Sequence, residues 1–341
     1  MKTVFLSKPL KNKEVLCLAC CHRCRIPEGK TGMCGVRENV SGKLELLVYG
    51  RGVAVNIDPI EKKPFYHFLP ASKTFSIGTF GCNFRCLNCQ NYDLSQILDH
   101  KGDTCYYSKI NWGEKLSPQK AVLMARETGC RSIAYTYNEP TIWTEYALPI
   151  MKLAKKEGLF NLWVSNGFMT KETREIILPY LDAINIDIKS FSDQFYRKNC
   201  GAFLAPVLEN CRYFKKKGVH LEITTLVIPT ISDDEKMLKE LSQFIRQELG
   251  AEVPWHVSAF SGKISWKLQK LPETSASVLK KIRQIGLNAG LKYVYAGNVS
   301  AESLENTYCP KCSTTVIERM GYNVKNHLKE GNCPNCGYQI L

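Results

Sequence analysis

Phe75-Ser76-Ile77-Gly78-Thr79-Phe80-Gly81-Cys82-Asn83-Phe84-Arg85-Cys86-Leu87-Asn88-Cys89 is the stretch whose reading decides the fold. The apolar run Phe75 to Thr79 reads as a strand, and the loop leaving it carries Cys82, Cys86 and Cys89. A cubane iron-sulfur cluster normally takes four thiolates, so a compact group of three leaves one iron open to a non-protein ligand. That open iron is a place for chemistry.

Outward from this strand, short β-branched runs alternate with amphipathic helical stretches from about residue 75 to 300, the pattern of parallel βα units. The further runs are Ser132 to Tyr137, Phe160 to Ser165, Ala183 to Ile188, Val219 to Ile228, Trp255 to Ala259 and Lys292 to Ala296. Ser117-Pro118 reads as an N-cap with proline at the first helical position, Ser232 and Glu235 as a capping box, and Gly158, Gly218, Gly250 and Gly290 as C-terminal caps. Six or seven such units predict an α/β fold, a partial TIM-like (βα)6 barrel whose ligands sit at the C-terminal ends of the strands. The expected domains are a Cys-rich N-terminal extension over 1–72, the barrel over 73–300 and a four-cysteine module over 301–341.

With 341 residues and 44% hydrophobic content, the chain can bury a substantial core. Its start is too weakly apolar for a signal peptide, and no run approaches the length that spans a bilayer, so the expectation is a cytoplasmic protein with no membrane association. Sixteen cysteines in a long chain of this kind point to metal ligation in a reducing compartment. The formal charge of +14 suits a polyanion such as RNA, or equally a solvated lysine-rich surface; Arg212, Lys215, Lys216 and Lys217 form a local basic group.

Two further cysteine groups flank the core. Cys309 and Cys312, then Cys333 and Cys336, form paired Cys-x-x-Cys turns with the spacing of a zinc ribbon or rubredoxin-like site. Zinc is the first choice, iron suits the same geometry, and a saturated site of this kind is structural. Near the start, Cys17, Cys20, Cys24 and Cys34 make a four-thiolate set with Cys21 and His22 as spare ligands. A metal is expected there, with an auxiliary iron-sulfur cluster, a zinc site and free thiols all open; free thiols rank last because five within eighteen residues would oxidise readily.

The three-then-two spacing of Cys82, Cys86 and Cys89 resembles the cluster motif of radical S-adenosylmethionine (SAM) enzymes. The resemblance implies a 4Fe-4S cluster whose fourth iron is chelated by SAM. One electron then breaks the C–S bond of SAM to give a 5′-deoxyadenosyl radical that abstracts hydrogen from substrate. Asn88 stands where these enzymes usually carry an aromatic residue. Tyr137-Asn138-Glu139-Pro140 is similar to the segment that binds the SAM amino group, with Glu139 as the acceptor and Asn138 beside it. Val164-Ser165-Asn166-Gly167-Phe168 and Asp187-Ile188-Lys189 resemble segments of pyruvate formate-lyase activating enzymes, which would place Ser165, Asn166, Asp187 and Lys189 around the SAM methionine and ribose. Val164 replaces the aspartate of a monovalent cation site in those enzymes. His256 reads as a hydrogen-bonded core histidine.

Nearly the full length resembles one branch of the superfamily, the AmmeMemoRadiSam-system radical SAM enzymes. The match is carried by Cys17 to Asn39, Asp58 to Pro70, SIGTFGCNFRC, SIAYTYNEPTIWTEYA, PWHVSAF, KYVYAGNV and the terminal cysteine pairs. Ser261 to Pro272 follows that pattern less closely and is placed to shape the substrate side. The resemblance implies AMMECR1-like and Memo-like partners and a ferredoxin- or flavodoxin-like electron donor. The leading reading is hydrogen abstraction from a macromolecule, RNA or protein. The alternatives are a glycyl radical enzyme activase and, outside enzymes, a zinc-ribbon RNA-binding protein.

Overall fold

A computed structural model describes residues 2–97, 113–299 and 303–341 of the chain. Its central sheet has eight strands: β1 (Ala54–Pro59), β2 (Lys73–Gly78), β3 (Ser132–Tyr135), β4 (Phe160–Ser165), β5 (Ala183–Asp187), β6 (His220–Val227), β7 (Trp255–Ala259) and β8 (Val294–Gly297). From β2 to β8 each strand lies parallel beside its predecessor, while β1 runs antiparallel along β2. The sheet is open and mixed, with β1 and β8 at its edges. β1 has no counterpart in the sequence reading, because Ala54-Val55-Asn56-Ile57-Asp58 is half polar and partly exposed. The junction expected at residues 300–301 lies outside the described residues.

Among the described residues, six helices of seven or more residues lie between the parallel strands: α1 (Pro118–Glu127), α2 (Thr144–Lys156), α3 (Lys171–Ile177), α4 (Ala205–Lys216), α5 (Glu235–Phe244) and α6 (Ala276–Asn288). Ser117 caps α1 by accepting from the Lys120 amide, with Pro118 at the first position. The expected Ser232–Glu235 capping box does not form. Asp234 caps α5 through the Met237 amide, and Ser232 Oγ instead accepts from Ile228 N and donates to Leu226 O. Aspartate one position before the helix is the nearer acceptor for the orphan amides.

Strand alternation sorts side chains to two faces. Phe75, Ile77, Ile133, Tyr135, Trp163, Ile184, Ile223, Trp255 and Val257 join the buried cluster that also takes in the helices. Each such side chain contributes about 1.5–3 kcal/mol on burial. On the other face, Ala134, Leu162 and Ala183 pack against Ile60 and Phe65, so residues 60–69 cover the N-terminal ends of the strands. Asn185 Nδ2 donates to Pro64 O at 2.7 Å. The fully buried Glu222 accepts from Tyr66 N at 3.0 Å and His67 N at 2.9 Å, and pairs with His220 at 2.9 Å and His256 at 2.6 Å. Burial alone would raise its pKa; these partners hold the carboxyl well below its ordinary value. An unpaired carboxylate here would cost several kcal/mol, so the segment and the sheet are fixed to each other.

The C-terminal residues attach at this same pole. Arg319, buried, donates to Tyr66 O at 2.9 Å and Thr307 Oγ1 at 2.8 Å, and its guanidinium lies 4.0 Å from the Tyr66 ring centre. Three antiparallel strands, Thr307–Tyr308, Thr315–Met320 and Asn323–Asn326, carry the cysteine turns. No helix among the described residues is long and apolar enough to cross a membrane.

Candidate functional site

The cysteine loop leaves β2 at Gly78, where an added Cβ would lie 2.9 Å from Tyr137 Cβ. That close approach brings the loops after β2 and β3 together. Asn138 then stitches them: its Nδ2 faces Thr79 Oγ1, Phe80 O and Gly81 O, and its Oδ1 accepts from Thr79 N and Trp143 Nε1. The Asn138 side chain, expected at the cofactor, is therefore saturated within the protein.

Cys86 is buried, and Cys82 and Cys89 are partly so. Phe84 N donates to Cys82 Sγ at 3.4 Å, and Cys89 Sγ contacts Ser95 Oγ at 3.2 Å. Burial first, then Glu139 and Cys86, push the Cys82 thiol well up, which places the Glu139 carboxylate within electrostatic reach of the loop. Asn83 Nδ2, one residue from Cys82, is buried with no hydrogen-bond partner among the described residues. An unsatisfied donor of this kind costs about 1–3 kcal/mol unless a bound acceptor meets it.

Glu139 is the organising acceptor of the neighbouring loops. Its Oε1 takes Thr141 N at 3.0 Å, Thr141 Oγ1 at 2.5 Å and Ser165 Oγ at 2.8 Å, whereas Oε2 takes only Asn166 N at 2.7 Å among the described residues. Burial raises its pKa above the usual carboxylate value against these donors. A carboxylate has about four lone-pair sites, so Oε2 retains capacity for one more donor. Asn166 Nδ2 reaches Asn83 Oδ1 at 2.7 Å, closing a path from the β4 loop to the cysteine loop. Gly167 has φ of +70°, and an added Cβ would meet Ile186 at 2.9 Å, so the turn requires glycine.

At the end of β5, Lys189 Nζ pairs with Asp187 at 2.7 Å, and its amide donates to Tyr196 Oη at 3.0 Å. Burial opposes its charge, but Asp187 and Cys86 outweigh it and keep the ammonium above its ordinary pKa. Asn88 is buried and accepts from Asn199 Nδ2 at 2.7 Å.

Sequence reasoning missed two neighbours of the loop. The Cys200 thiol lies beside Cys86, and Cys200 O accepts from Arg85 N at 2.8 Å. A lone cysteine far along the chain gives no spacing signal. Trp266 N donates to Cys89 O at 3.0 Å and Lys267 N to Leu87 O at 2.8 Å, so the 261–272 stretch lies against the cysteine loop itself.

The other groups lie apart from this centre or beside it. In the C-terminal group, Cys309 and Cys336 sulfurs are 3.5 Å apart and Cys312 and Cys333 sulfurs 3.6 Å apart. All four fall within 4.8 Å of one another, close to the roughly 3.8 Å edge of a tetrahedral ion with bonds of about 2.3 Å. Among the described residues no other three cysteine sulfurs meet that limit. Cys82, Cys86 and Cys89 are therefore not set as ligands of one tetrahedral ion. Of the spare N-terminal ligands, Cys21 donates to Met169 O at 3.2 Å and His22 pairs with Asn83 O at 2.8 Å. Arg212 pairs with Glu248, and Lys215 to Lys217 close the end of α4 that leads into the start of β6, away from the strand ends that carry the site. His256 is buried against Glu222 at the opposite pole, as a core histidine.

The radical SAM superfamily profile matches residues 76–241. An uncharacterized protein of Methanocaldococcus jannaschii is 39% identical over 100% of this chain and 99% of its own. The pyruvate formate-lyase 1-activating enzyme of Escherichia coli K12 is 25% identical over 54% of this chain and 74% of that enzyme. Among solved structures, a radical SAM methyltransferase from Sphaerobacter thermophilus covers 67% of each chain with a TM-score of 0.50 and 14% identity, a likeness of fold.

Proposed function

Because the chain belongs to the radical SAM superfamily of SAM-dependent enzymes, we propose that it cleaves SAM reductively and abstracts hydrogen from a macromolecular substrate. The observation that carries this is the buried network Glu139–Ser165–Asn166–Asn83, which gathers three strand-end loops beside Cys82. A 4Fe-4S cluster on Cys82, Cys86 and Cys89 would supply one electron to the SAM sulfonium, whose C–S bond breaks to give the hydrogen-abstracting 5′-deoxyadenosyl radical. Glu139 Oε2 would accept from the SAM ammonium, a charge-assisted hydrogen bond. Asn83 Nδ2 offers a donor to an anionic group in the same space. Asp187 and Lys189 would face the methionine and ribose, and the Lys189 ammonium would offset thiolate charge near Cys86.

The sheet then forms the wall of a partial (βα)6 barrel, with residues 1–72 as a Cys-rich extension and 301–341 as a structural metal module favouring zinc. An AmmeMemoRadiSam assignment, AMMECR1-like and Memo-like partners, a ferredoxin- or flavodoxin-like donor and a cytoplasmic setting belong to the same reading. Protein is favoured over RNA as substrate, because the Arg212 group is not at the strand ends that carry the site. A glycyl radical enzyme activase is the second reading, supported by the similarity to the activating enzyme of E. coli. Anaerobic reconstitution with SAM and dithionite tests the chemistry through formation of 5′-deoxyadenosine. Deuterium passing from labelled protein or RNA into 5′-deoxyadenosine identifies the substrate, and transfer from a glycyl residue of a partner enzyme establishes the activase.

A further inference from the structure

The N-terminal cysteines converge although they come from separate turns. Cys17 ends the strand Val15–Cys17, and its amide donates to Cys24 O at 2.9 Å; Arg23 N donates to Cys20 O at 3.0 Å, closing the turn between them. Cys34 returns along the segment after Gly32, where an added Cβ would lie 3.5 Å from Cys24 Sγ. Cys17, Cys20 and Cys34 are buried and Cys24 is partly buried. Yet no three of these sulfurs fall within 4.8 Å of one another, unlike the C-terminal four. Four thiols on one folded loop, three of them buried, with no three compact enough to share one tetrahedral ion, suit a cluster in which each binds its own iron. Arg37, buried and charge-balanced by Glu145, directs Nη1 at Cys17 Sγ at 3.9 Å, a hydrogen bond to sulfur of the kind that tunes such clusters.

This group adjoins the catalytic loop. Gly81, next to Cys82, has φ of +87°, and a Cβ there would be 2.4 Å from Cys34 O. With 3.8 Å between successive Cα atoms, the Cα atoms of Cys34 and Cys82 are within about 10 Å. His22 pairs with Asn83 O at 2.8 Å, and Cys20 bridges to Met169 beyond the β4 loop. The cysteine-rich loop therefore touches both segments that build the site.

We infer that Cys17, Cys20, Cys24 and Cys34 hold a second iron-sulfur cluster, placed to exchange single electrons with the cluster on Cys82, Cys86 and Cys89. The site assignment stands on its own geometry, and the exchange rests on the function proposed above. In that exchange one electron enters from a low-potential iron-sulfur or flavin protein and one leaves to the neighbouring cluster. The second cluster returns to its starting state, and no proton or bond is transferred.

The test is the triple variant Cys82→Ala/Cys86→Ala/Cys89→Ala of the full chain, reconstituted anaerobically with iron and sulfide, which reports the second site without the first. The expected result is about four irons and four labile sulfides per chain, with a visible absorption that dithionite bleaches. Adding Cys20→Ser and Cys34→Ser should remove the sulfide. Zinc without sulfide at these residues, or thiols that all alkylate freely, overturns the assignment. If the triple variant does not fold, the wild type answers: about eight sulfides falling to about four in Cys20→Ser/Cys34→Ser supports it, and four in both overturns it. The exchange predicts that the reduced wild type shows spin coupling, seen as broadened electron paramagnetic resonance lines absent from the triple variant. Two independent, uncoupled signals overturn the exchange and leave the site assignment standing.

Discussion

Glu139→Gln removes one charge and turns one acceptor atom into a donor. In the folded chain, Oε2 receives the Asn166 amide at 2.7 Å and Oε1 receives the Thr141 amide at 3.0 Å. A glutamine can present its oxygen to one of these amides, and its NH2 then faces the other. The stranded amide costs about 1–3 kcal/mol. Burial already disfavours the Glu139 charge, so its removal returns part of that, and a net loss near 1 kcal/mol is expected. The effect on SAM should be larger. Loss of a charged acceptor for the ammonium costs about 1.5–3 kcal/mol, a roughly ten- to a hundred-fold weaker Kd. The assay is anaerobic calorimetry of SAM binding to reconstituted protein, with iron content and thermal unfolding measured on the same samples. Weakened binding with normal iron content supports the role assigned to Oε2. An unchanged SAM Kd beside a lowered Tm would show that Glu139 only caps residues 140–143 and would refute the reasoning.

Cys82→Ala, Cys86→Ala or Cys89→Ala should each abolish 5′-deoxyadenosine formation while circular dichroism stays near wild type, because loop thiolates add little to the core; wild-type cleavage in any one contradicts the assignment. Cys309→Ser should lower Tm and soluble yield more than SAM cleavage by the folded fraction, since metal binding there couples to folding at the pole remote from Cys82; equal losses would place that site in catalysis. Burial holds His67 at a pKa of about 3 in the folded chain, against an ordinary 6.5. The unfolded chain therefore binds the extra proton between these values, and stability should fall as pH drops from about 6.5 toward 3, by at most about 1.4 kcal/mol per pH unit. His67→Gln should flatten that slope in urea titrations, and an unaltered slope would assign the acid lability elsewhere. Trp266→Gly and Lys267→Gly together should loosen the cover on Leu87 and Cys89 and speed oxygen-driven loss of iron; equal decay rates would show that the 261–272 contact does not protect the loop.

The features legible in the chain alone are those with local causes. Seven strands stand where β-branched runs are punctuated by turns, Ser117-Pro118 starts a helix, and the cysteine triad, Glu139, Ser165, Asn166, Asp187 and Lys189 all sit at or just after strand C-terminal ends, because parallel βα units put those ends at one pole. The C-terminal pairs were legible for the same reason: two short turns each present two sulfurs. Contacts between distant segments decided the rest. Asn138, read as a cofactor contact, is spent on joining two loops; Asp234 outcompetes Ser232 as a cap; Cys200 reaches Cys86 from beyond β5; and the Arg212 group lies away from the site. Glu222 needed partners more than 150 residues away, at Tyr66 and His67, before its burial could be tolerated. Periodicity and spacing record how a segment relates to itself. Which polar group is satisfied, and which donor stays open beside Cys82, depends on segments that only the folded sheet brings together.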